Sequence, residues 1–287
     1  MGVNSPAVRA APWWLTWIVA KHQASRLAAG AGLAALVALG LAAVFPATAV
    51  FVVAGATLAF VVAPAGSPAR WAAAAMLPVA LMLAWGAIVE PRLDGAGSQC
   101  AEAASPLALS RLGEAAAVIA LVALLARRLG SSAHELGLRR PSPPELVLAL
   151  VAVATVPLAS LLLGPILAEP FFGEIRLALA PVALLPAIAL AVANGTMEEL
   201  AYRGALLRWN ARLTGFTLAL LGQGLVFGLA HLGADFVGSP LPVVAAVAVG
   251  GIVAGLVVRR TGSLFLPIVV HICFDVPLYF ALVCREG

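Results

Sequence analysis

The stretch Asn194-Gly-Thr-Met-Glu-Glu-Leu-Ala-Tyr-Arg-Gly204 places two adjacent carboxylates, Glu198 and Glu199, and the cation Arg203 within a long apolar run. An ionisable side chain inside a membrane segment costs roughly 2.5–3.5 kcal/mol on insertion scales, so such residues mark functional sites by default. Both the fold class and the function have to account for this cluster.

The composition of the chain is that of a membrane protein. Of the 287 residues, 63% are hydrophobic and 10% are charged, and the mean hydropathy is +1.06. Soluble domains carry about 25% charged residues. The net charge of +4 is small, and nucleic-acid binding would require a clustered basic face. We therefore predict an all-α, polytopic bundle of membrane helices that does not bind nucleic acid.

The apolar residues form about nine stretches, most of them long enough at 1.5 Å per residue to cross a hydrocarbon layer roughly 30 Å thick. They cover approximately 27–45, 47–63, 71–89, 106–127, 145–168, 177–207, 213–232, 241–258 and 264–284. Because 47–63 is short, eight spans are the alternative count. We predict an interfacial N-terminal segment over 1–26, accessory transmembrane helices over 27–128 and a transmembrane core over 145–284 that contains the charged cluster.

The charges between the stretches alternate along the chain. One set of loops holds the cations Arg9, Lys21, Arg26, Arg70, Arg127, Arg128, Arg139, Arg140, Arg203, Arg208, Arg212, Arg259 and Arg260. The other set holds mainly the acids Glu90, Asp94, Glu102, Glu169, Glu174 and Asp235. The positive-inside rule then places the N-terminus in the cytoplasm and the C-terminus outside. The alanine-rich composition hints at a GC-rich bacterial genome, which favours a bacterial inner membrane.

Only one of the two adjacent glutamates can pair with the single arginine, so we expect the two carboxylates to have different environments. Glu199 and Arg203 are four residues apart, with the acid nearer the N-terminus, which is the favoured order for a helical ion pair. Glu198 lies about 100° further round the helix, so it faces another surface. A helix-end ion pair at the cytoplasmic interface is the alternative, but it leaves Glu198 without a partner.

Two later stretches carry histidine at the same spacing. Phe227 and His231 are four residues apart in one stretch, and His271 and Asp275 are four residues apart in another. Residues at this spacing share one helix face. Each histidine also has a purely structural interpretation. His231 could be a hydrogen-bonded packing residue, and His271 and Asp275 could simply hydrogen-bond each other inside a helical bundle. Three helices that each present such groups favour one shared site.

Together, Glu198-Glu199-x-x-x-Arg203, Phe227-x-x-x-His231 and His271-x-x-x-Asp275 resemble the motifs of the CPBP family of intramembrane proteases, which includes CAAX-prenyl-protease-like and bacteriocin-processing, Abi-type members. The motifs occur in order over roughly the last third of the chain. The resemblance implies a hydrolase that works in contact with membrane lipid and cleaves a membrane-associated protein or peptide.

The resemblance also implies a role for each matching residue. Glu198 would activate a water with help from His231, while Glu199 would hold Arg203, and Phe227 would support the site. His271 and residue 275 would stabilise the oxyanion. The family often has asparagine at this last position, and an ionised aspartate accepts hydrogen bonds but donates none. Asp275 could instead orient or protonate His271, or itself be neutral.

We predict no cofactor for this chemistry. If a divalent metal such as zinc were bound, its ligands would be Glu198, His231 and His271. The sequence contains no HExxH helix, and this favours catalysis without a metal.

The depth of the residues in the membrane poses one difficulty. With straight spans, Glu198 lies about 14 Å from the inner end of the sixth stretch and His231 about 27 Å from that of the seventh. The two should be level to share a water. Tilting, a break near the glycines or a later start of the seventh stretch would each reconcile them.

Two other classes of function fit the same residues. A non-catalytic scaffold or immunity-type protein of the same fold would bind membrane peptides without cleaving them. A proton-coupled transporter would use the carboxylates to carry protons. Loss of function on replacement of Glu198 would favour the peptidase over the scaffold, and substrate flux in proteoliposomes would favour the transporter.

Overall fold

The computed structural model describes residues 13–89, 100–172, 184–232 and 241–283. Within these ranges the regular elements are helices and no strand occurs, which confirms the predicted all-α fold. The predicted loop acids Glu90, Asp94, Glu174 and Asp235 lie outside the described residues, as do Arg9 and the rest of the first twelve residues.

The described residues form ten α-helices and one π-helical segment. In chain order they are α1 (Trp13–Val44), α2 (Ala49–Val62), α3 (Pro68–Ile88), α4 (Cys100–Leu129), α5 (Pro143–Phe172), α6 (Leu184–Glu198), a π-helical segment (Glu199–Leu206), α7 (Leu207–Thr214), α8 (Phe216–Leu229), α9 (Leu241–Thr261) and α10 (Phe265–Val283). A 3₁₀ turn at Pro46–Thr48 separates α1 from α2.

Each of the nine predicted stretches corresponds to a helix or to one continuous run of helix. In the described part of the chain, six of these are long and apolar enough to cross a membrane. The other three, Pro46–Val62, Phe216–Leu229 and Phe265–Tyr279, are apolar but shorter. The fold is therefore the polytopic helical bundle that the sequence predicts. The division of the chain at residues 26, 128 and 145 stays a prediction.

The run Leu184–Thr214 forms the centre of the bundle. It combines α6, the π-helical segment and α7 without a break, and it is the most completely buried of the candidate spans. Gly215 ends it with a φ of 82° and a ψ of 161°, a positive-φ backbone conformation that glycine adopts without a steric penalty. The chain turns there, and α8 begins at once.

Several helices pack against this central run. α4 packs against α6, α3 contacts both the π-helical segment and α7, and α10 packs against both α5 and α6. α8 lies against α9. Lipid-facing surface is provided by exposed aliphatic side chains, for example Val147 and Leu150 on α5. All catalytic candidates therefore lie inside the bundle or at its inner surfaces.

The loop between α4 and α5 is fastened to the ends of other helices. The Leu264 amide donates to the Gly137 carbonyl at 3.0 Å, and Arg139 donates to the Thr261 carbonyl and pairs with Glu145. Gly137 has a φ of 84°, and a Cβ there would lie 2.8 Å from the Arg208 guanidinium. These contacts fix the relative height of α5, α7 and α10.

Small residues set the close approach of α8 and α9, as is usual for helices packed within a membrane. A Cβ on Gly228 would lie 2.5 Å from the Val244 carbonyl oxygen and 2.8 Å from the Ala248 Cβ. We expect Gly228→Ala to push the helices apart and to lower stability by about 1–3 kcal/mol. Thermal unfolding of the purified protein in detergent would measure this.

Gly250→Ala, on α9, is the matched control. Nothing lies within 4 Å of a Cβ at this position, so the added methyl group should leave the melting temperature unchanged or raise it slightly. Equal melting temperatures for the two variants would contradict the tight α8–α9 contact.

Candidate active site

Glu198 and Glu199 lie where the helix changes its hydrogen-bonding pattern. Glu198 is the last residue of α6, and Glu199 begins the π-helical segment. Such segments are rare and occur frequently at functional sites. Every residue of this one is buried, and Glu198 and Glu199 are 7% and 2% exposed. Two carboxylates are thus held in the interior of the bundle.

Glu199 and Arg203 form the ion pair that their spacing predicts. Arg203 Nη1 donates to Glu199 Oε1 at 3.0 Å, and the two side chains are 1% and 3% exposed. The guanidinium also lies over the Phe227 ring, 4.2 Å from its centroid, a cation–π contact that joins the π-helical segment to α8. The pair is therefore buried within the bundle rather than exposed at a helix end.

His271 faces three carboxylates. Its Nδ1 lies 3.0 Å from Glu199 Oε1, while its Nε2 lies 3.7 Å from Glu198 Oε2 and 3.6 Å from Asp275 Oδ2. Because an ionised carboxylate only accepts hydrogen bonds, Nδ1 carries a proton and donates to Glu199. The first and third sequence motifs therefore meet at this ring.

Gly195 is the reason that α10 comes so near to α6. A Cβ at this position would lie 3.0 Å from Ile272 Cγ1, 3.2 Å from the Ile272 amide nitrogen and 3.4 Å from the His271 Cβ. The backbone of α10 thus occupies the space that a side chain at position 195 would need. This close contact brings His271 within reach of both glutamates.

His231 joins the same cluster through Phe227. The Phe227 ring lies 5.0 Å from the His231 ring and 6.2 Å from the His271 ring, measured between centroids. His231 Nδ1 lies 2.8 Å from the Phe227 carbonyl oxygen, so Nδ1 carries the proton and Nε2 can accept one. Glu198 and His271 are both within electrostatic range of His231. All three motifs therefore converge.

The continuous helix Leu184–Thr214 resolves the difference in depth that the sequence posed. The prediction that the sixth stretch ends at residue 207 was wrong, because the helix continues through α7 to Thr214. Glu198 consequently lies about 24 Å from its inner end. His231 lies about 22 Å from the start of α8 at Phe216, which is later than the predicted 213. By this estimate the two residues differ in depth by about 2 Å.

Asp275 has a partner that the motifs do not include. Asn194 Nδ2 donates to Asp275 Oδ2 at 2.9 Å, and both side chains are about 5% exposed. Asn194 precedes Glu198 by one helical turn, so both lie on one face of α6. No periodicity in the sequence relates Asn194 to α10, because the two partners are 81 positions apart.

α4 contributes a charged pair beside the site. Arg111 pairs with the fully buried Glu114 one turn further along α4. Arg111 also interacts with Tyr279 of α10, and its charge acts on Asp275. An early span thus supplies ionisable groups next to the site as well. Opposite charges three residues apart within the stretch 106–127 were the signal in the sequence.

The described residues do not form a preassembled metal centre. Among them, no group of three or more His, Cys, Asp or Glu side chains is arranged to hold a metal ion. The set Glu198, His231 and His271 is brought to one region, but the metal-independent chemistry expected from the sequence stays a prediction.

Comparison with known proteins identifies the C-terminal part of the chain. Residues 180–277 match the family described as "Type II CAAX prenyl endopeptidase Rce1-like". This range contains all three motifs, and the match confirms the resemblance to CPBP and CAAX proteases. Neither the curated proteins nor the solved structures include a significant match to the chain.

Proposed function

Because residues 180–277 form an Rce1-like domain of the type II CAAX prenyl endopeptidase family, we propose that this integral membrane protein hydrolyses a peptide bond in a membrane-associated protein or peptide. Glu198 is the base that activates the water. One observation supports this above all: Glu198 is a buried carboxylate that is not engaged by Arg203, and it faces an imidazole, His271, that Glu199 holds in place.

The first chemical step is the attack of water on the substrate carbonyl carbon. Glu198 takes one proton from the water as the new carbon–oxygen bond forms. His231, whose Nε2 is free to accept a proton, lies beside Glu198 and shares this proton. The carbonyl oxygen becomes a negatively charged oxyanion, which needs a donor aimed at it.

His271 is the donor to that oxyanion in this proposal. Its Nδ1–H is donated to Glu199, so His271 acts in its doubly protonated form, in which the Nε2–H donates to the developing negative charge. Asp275 serves His271 and not the oxyanion directly, because its carboxylate is an acceptor. The carbon–nitrogen bond then breaks, and the leaving nitrogen takes the proton from Glu198. The products are a carboxylic acid and an amine, and no metal takes part in any step.

The membrane context follows from the same assignment. The protease family and the apolar helices define an integral membrane protein. We further propose that it lies in a bacterial inner membrane with its N-terminus in the cytoplasm. The cationic segment at residues 127–140, the cations Arg208 and Arg212 of α7 and the pair Arg259 and Arg260 are then on the cytoplasmic side, as the positive-inside rule requires. The substrate reaches the site from the same membrane.

The test is cleavage by the purified chain in proteoliposomes. Substrates would be found by comparing the protein termini of membranes that carry the wild type with those that carry Glu198→Gln. We expect new termini only with the wild type, and cleavage of the corresponding peptides by the purified protein. The new carboxylate should contain one ¹⁸O atom in H₂¹⁸O, and a chelator should not change the rate.

Three outcomes would contradict the proposal. The protein termini could be identical in the two membranes, and the purified protein could cleave no peptide. Together these results would indicate that the protein binds peptides without cleaving them. Trapping of an acyl-enzyme by hydroxylamine would exclude direct attack by water. Loss of activity with the chelator and its return with zinc would place a metal at Glu198, His231 and His271.

A further inference from the structure

Asn194 and Glu198 present two buried oxygens on one face of α6. They are four residues apart, so their side chains lie one above the other on the helix. Neither Asn194 Oδ1 nor Glu198 Oε2 accepts a hydrogen bond from any part of the chain that the structure describes. Asn194 is 5% exposed and Glu198 is 7% exposed. Both of these hydrogen-bond acceptors therefore lack a donor.

Buried acceptors without donors are rare in folded proteins, and each one calls for a specific explanation. A group that supplies two donors, one to each oxygen, satisfies both at once. A water molecule has two hydrogens and is small enough to bind within a polar site in the protein interior. A side chain of the substrate could reach one oxygen, but a single donor would leave the other unsatisfied.

The orientation of the Asn194 amide is fixed by Asp275. Asn194 Nδ2 lies 2.9 Å from Asp275 Oδ2, and a carboxylate requires a donor at that distance. Turning the amide over would place two acceptor oxygens face to face. Oδ1 is therefore the amide atom that does not face Asp275, and it has no donor among the described residues.

We propose that Asn194 positions the attacking water together with Glu198. The proposal rests on the proposed peptidase activity. The water donates one hydrogen to Glu198 Oε2 and the other to Asn194 Oδ1, which directs its lone pair at the substrate carbonyl. Glu198 takes the first hydrogen as a proton during the attack. The second stays on the oxygen and becomes the hydroxyl hydrogen of the new carboxylic acid.

Asn210 is a buried asparagine that lacks this arrangement. Its Nδ2 donates to the Gly32 carbonyl oxygen at 3.3 Å, and its Oδ1 also lacks a partner among the described residues. That oxygen, however, faces backbone: a Cβ on Gly32 would lie 2.4 Å from it. Asn210 lies on α7, away from the glutamates. It is therefore the matched control for loss of a buried asparagine.

The experiment compares Asn194→Ala with Asn210→Ala in the peptide cleavage assay. A misplaced reacting group costs up to about 10²-fold in rate, so we expect kcat to fall about 10²-fold in Asn194→Ala with KM unchanged. Asn210→Ala should keep the wild-type kcat even if its melting temperature falls. An unchanged kcat in Asn194→Ala, or the same loss in both variants, would overturn the proposal.

A second pair of variants separates positioning from folding. Asn194→Asp alone places two carboxylates face to face and should lose activity. Asn194→Asp with Asp275→Asn restores an amide opposite a carboxylate and leaves an oxygen at position 194 for the water. We expect this double variant to recover to within about tenfold of the wild type, within the range a positioned group contributes.

A double variant no more active than Asn194→Asp, yet as stable as the wild type, would also overturn the proposal. The wild-type protein is measured in the same assay. Absence of cleavage by the wild type contradicts the peptidase itself. Normal cleavage by Asn194→Ala contradicts only the role of Asn194, so the two failures are distinguishable.

Discussion

Glu198→Gln is expected to lower turnover by about 10²–10⁴-fold, the usual contribution of a general base, while leaving insertion and the melting temperature unchanged. Glutamine matches glutamate in size, and Glu198 is not the carboxylate that Arg203 engages. The substitution removes a buried charge without breaking an observed hydrogen bond of Oε2. Initial rates on a membrane-reconstituted peptide, together with thermal unfolding in detergent, would measure both quantities.

Glu145→Gln is the control, and we expect it to change stability rather than turnover. Glu145 is also buried, but it accepts hydrogen bonds from Ser142 and Arg139 at the inner end of α5. Its replacement should lower stability and leave the turnover of the folded protein unchanged. If Glu198→Gln lost stability in proportion to its activity, or kept wild-type turnover, the assignment of Glu198 as the base would be wrong.

Arg203→Met should be the most destabilising of the substitutions considered. Removing one partner of a buried ion pair leaves an uncompensated charge and costs about 3–5 kcal/mol. Here the remaining group is Glu199, which is 3% exposed and keeps only the hydrogen bond from His271, and the cation–π contact with Phe227 is lost as well. Denaturant unfolding in mixed micelles would give the change in free energy of unfolding.

Two further variants identify the cause of that loss. Glu199→Gln combined with Arg203→Met removes both charges and should recover part of the stability, because no uncompensated charge remains. Arg212→Met removes an exposed partner of Glu135, with side chains 44% and 45% exposed, and should cost about 1 kcal/mol or less. A loss in Arg203→Met no larger than that in Arg212→Met would contradict the buried pair.

The local geometry of the site could be predicted from the sequence because helix periodicity determines it. The pairs Glu199 with Arg203 and His271 with Asp275 are each four residues apart, and each is within 4 Å in the structure. The apolar stretches likewise predicted the helices, since a membrane helix must be both long and apolar.

The end of the sixth stretch could not be predicted from hydrophobicity. Beyond residue 207 the sequence becomes polar, with Arg208, Asn210 and Arg212, which is typical of a loop. In the structure α7 is amphipathic: Trp209 is buried, while Arg212 is largely exposed and stacks on Trp71. The helix therefore continues after its apolar character has ended. Membrane depth estimated from the apolar stretch alone was wrong for this reason.

The contacts of Asn194 and Arg111 could not be predicted because they are tertiary. Asn194 meets Asp275 only after α6 and α10 pack at Gly195. Arg111 reaches the site from α4, which lies outside the residues that match the protease family. Its charge was visible in the sequence, but its neighbours on α10 were not. The motifs identified the groups, whereas helix packing decided which of them interact.

The packing of α3 and α4 against the central helix also bears on the order in which the chain enters the membrane. The chain is synthesised from its N-terminus, so α1–α4 are available before Leu184–Thr214 emerges from the ribosome. That span carries five charged side chains, Glu198, Glu199, Arg203, Arg208 and Arg212, which insertion into lipid alone disfavours. When it arrives, the helices that contact it from one side are already in place. The N-terminal helices thus provide a protein surface, in place of lipid, for the most polar span of the chain.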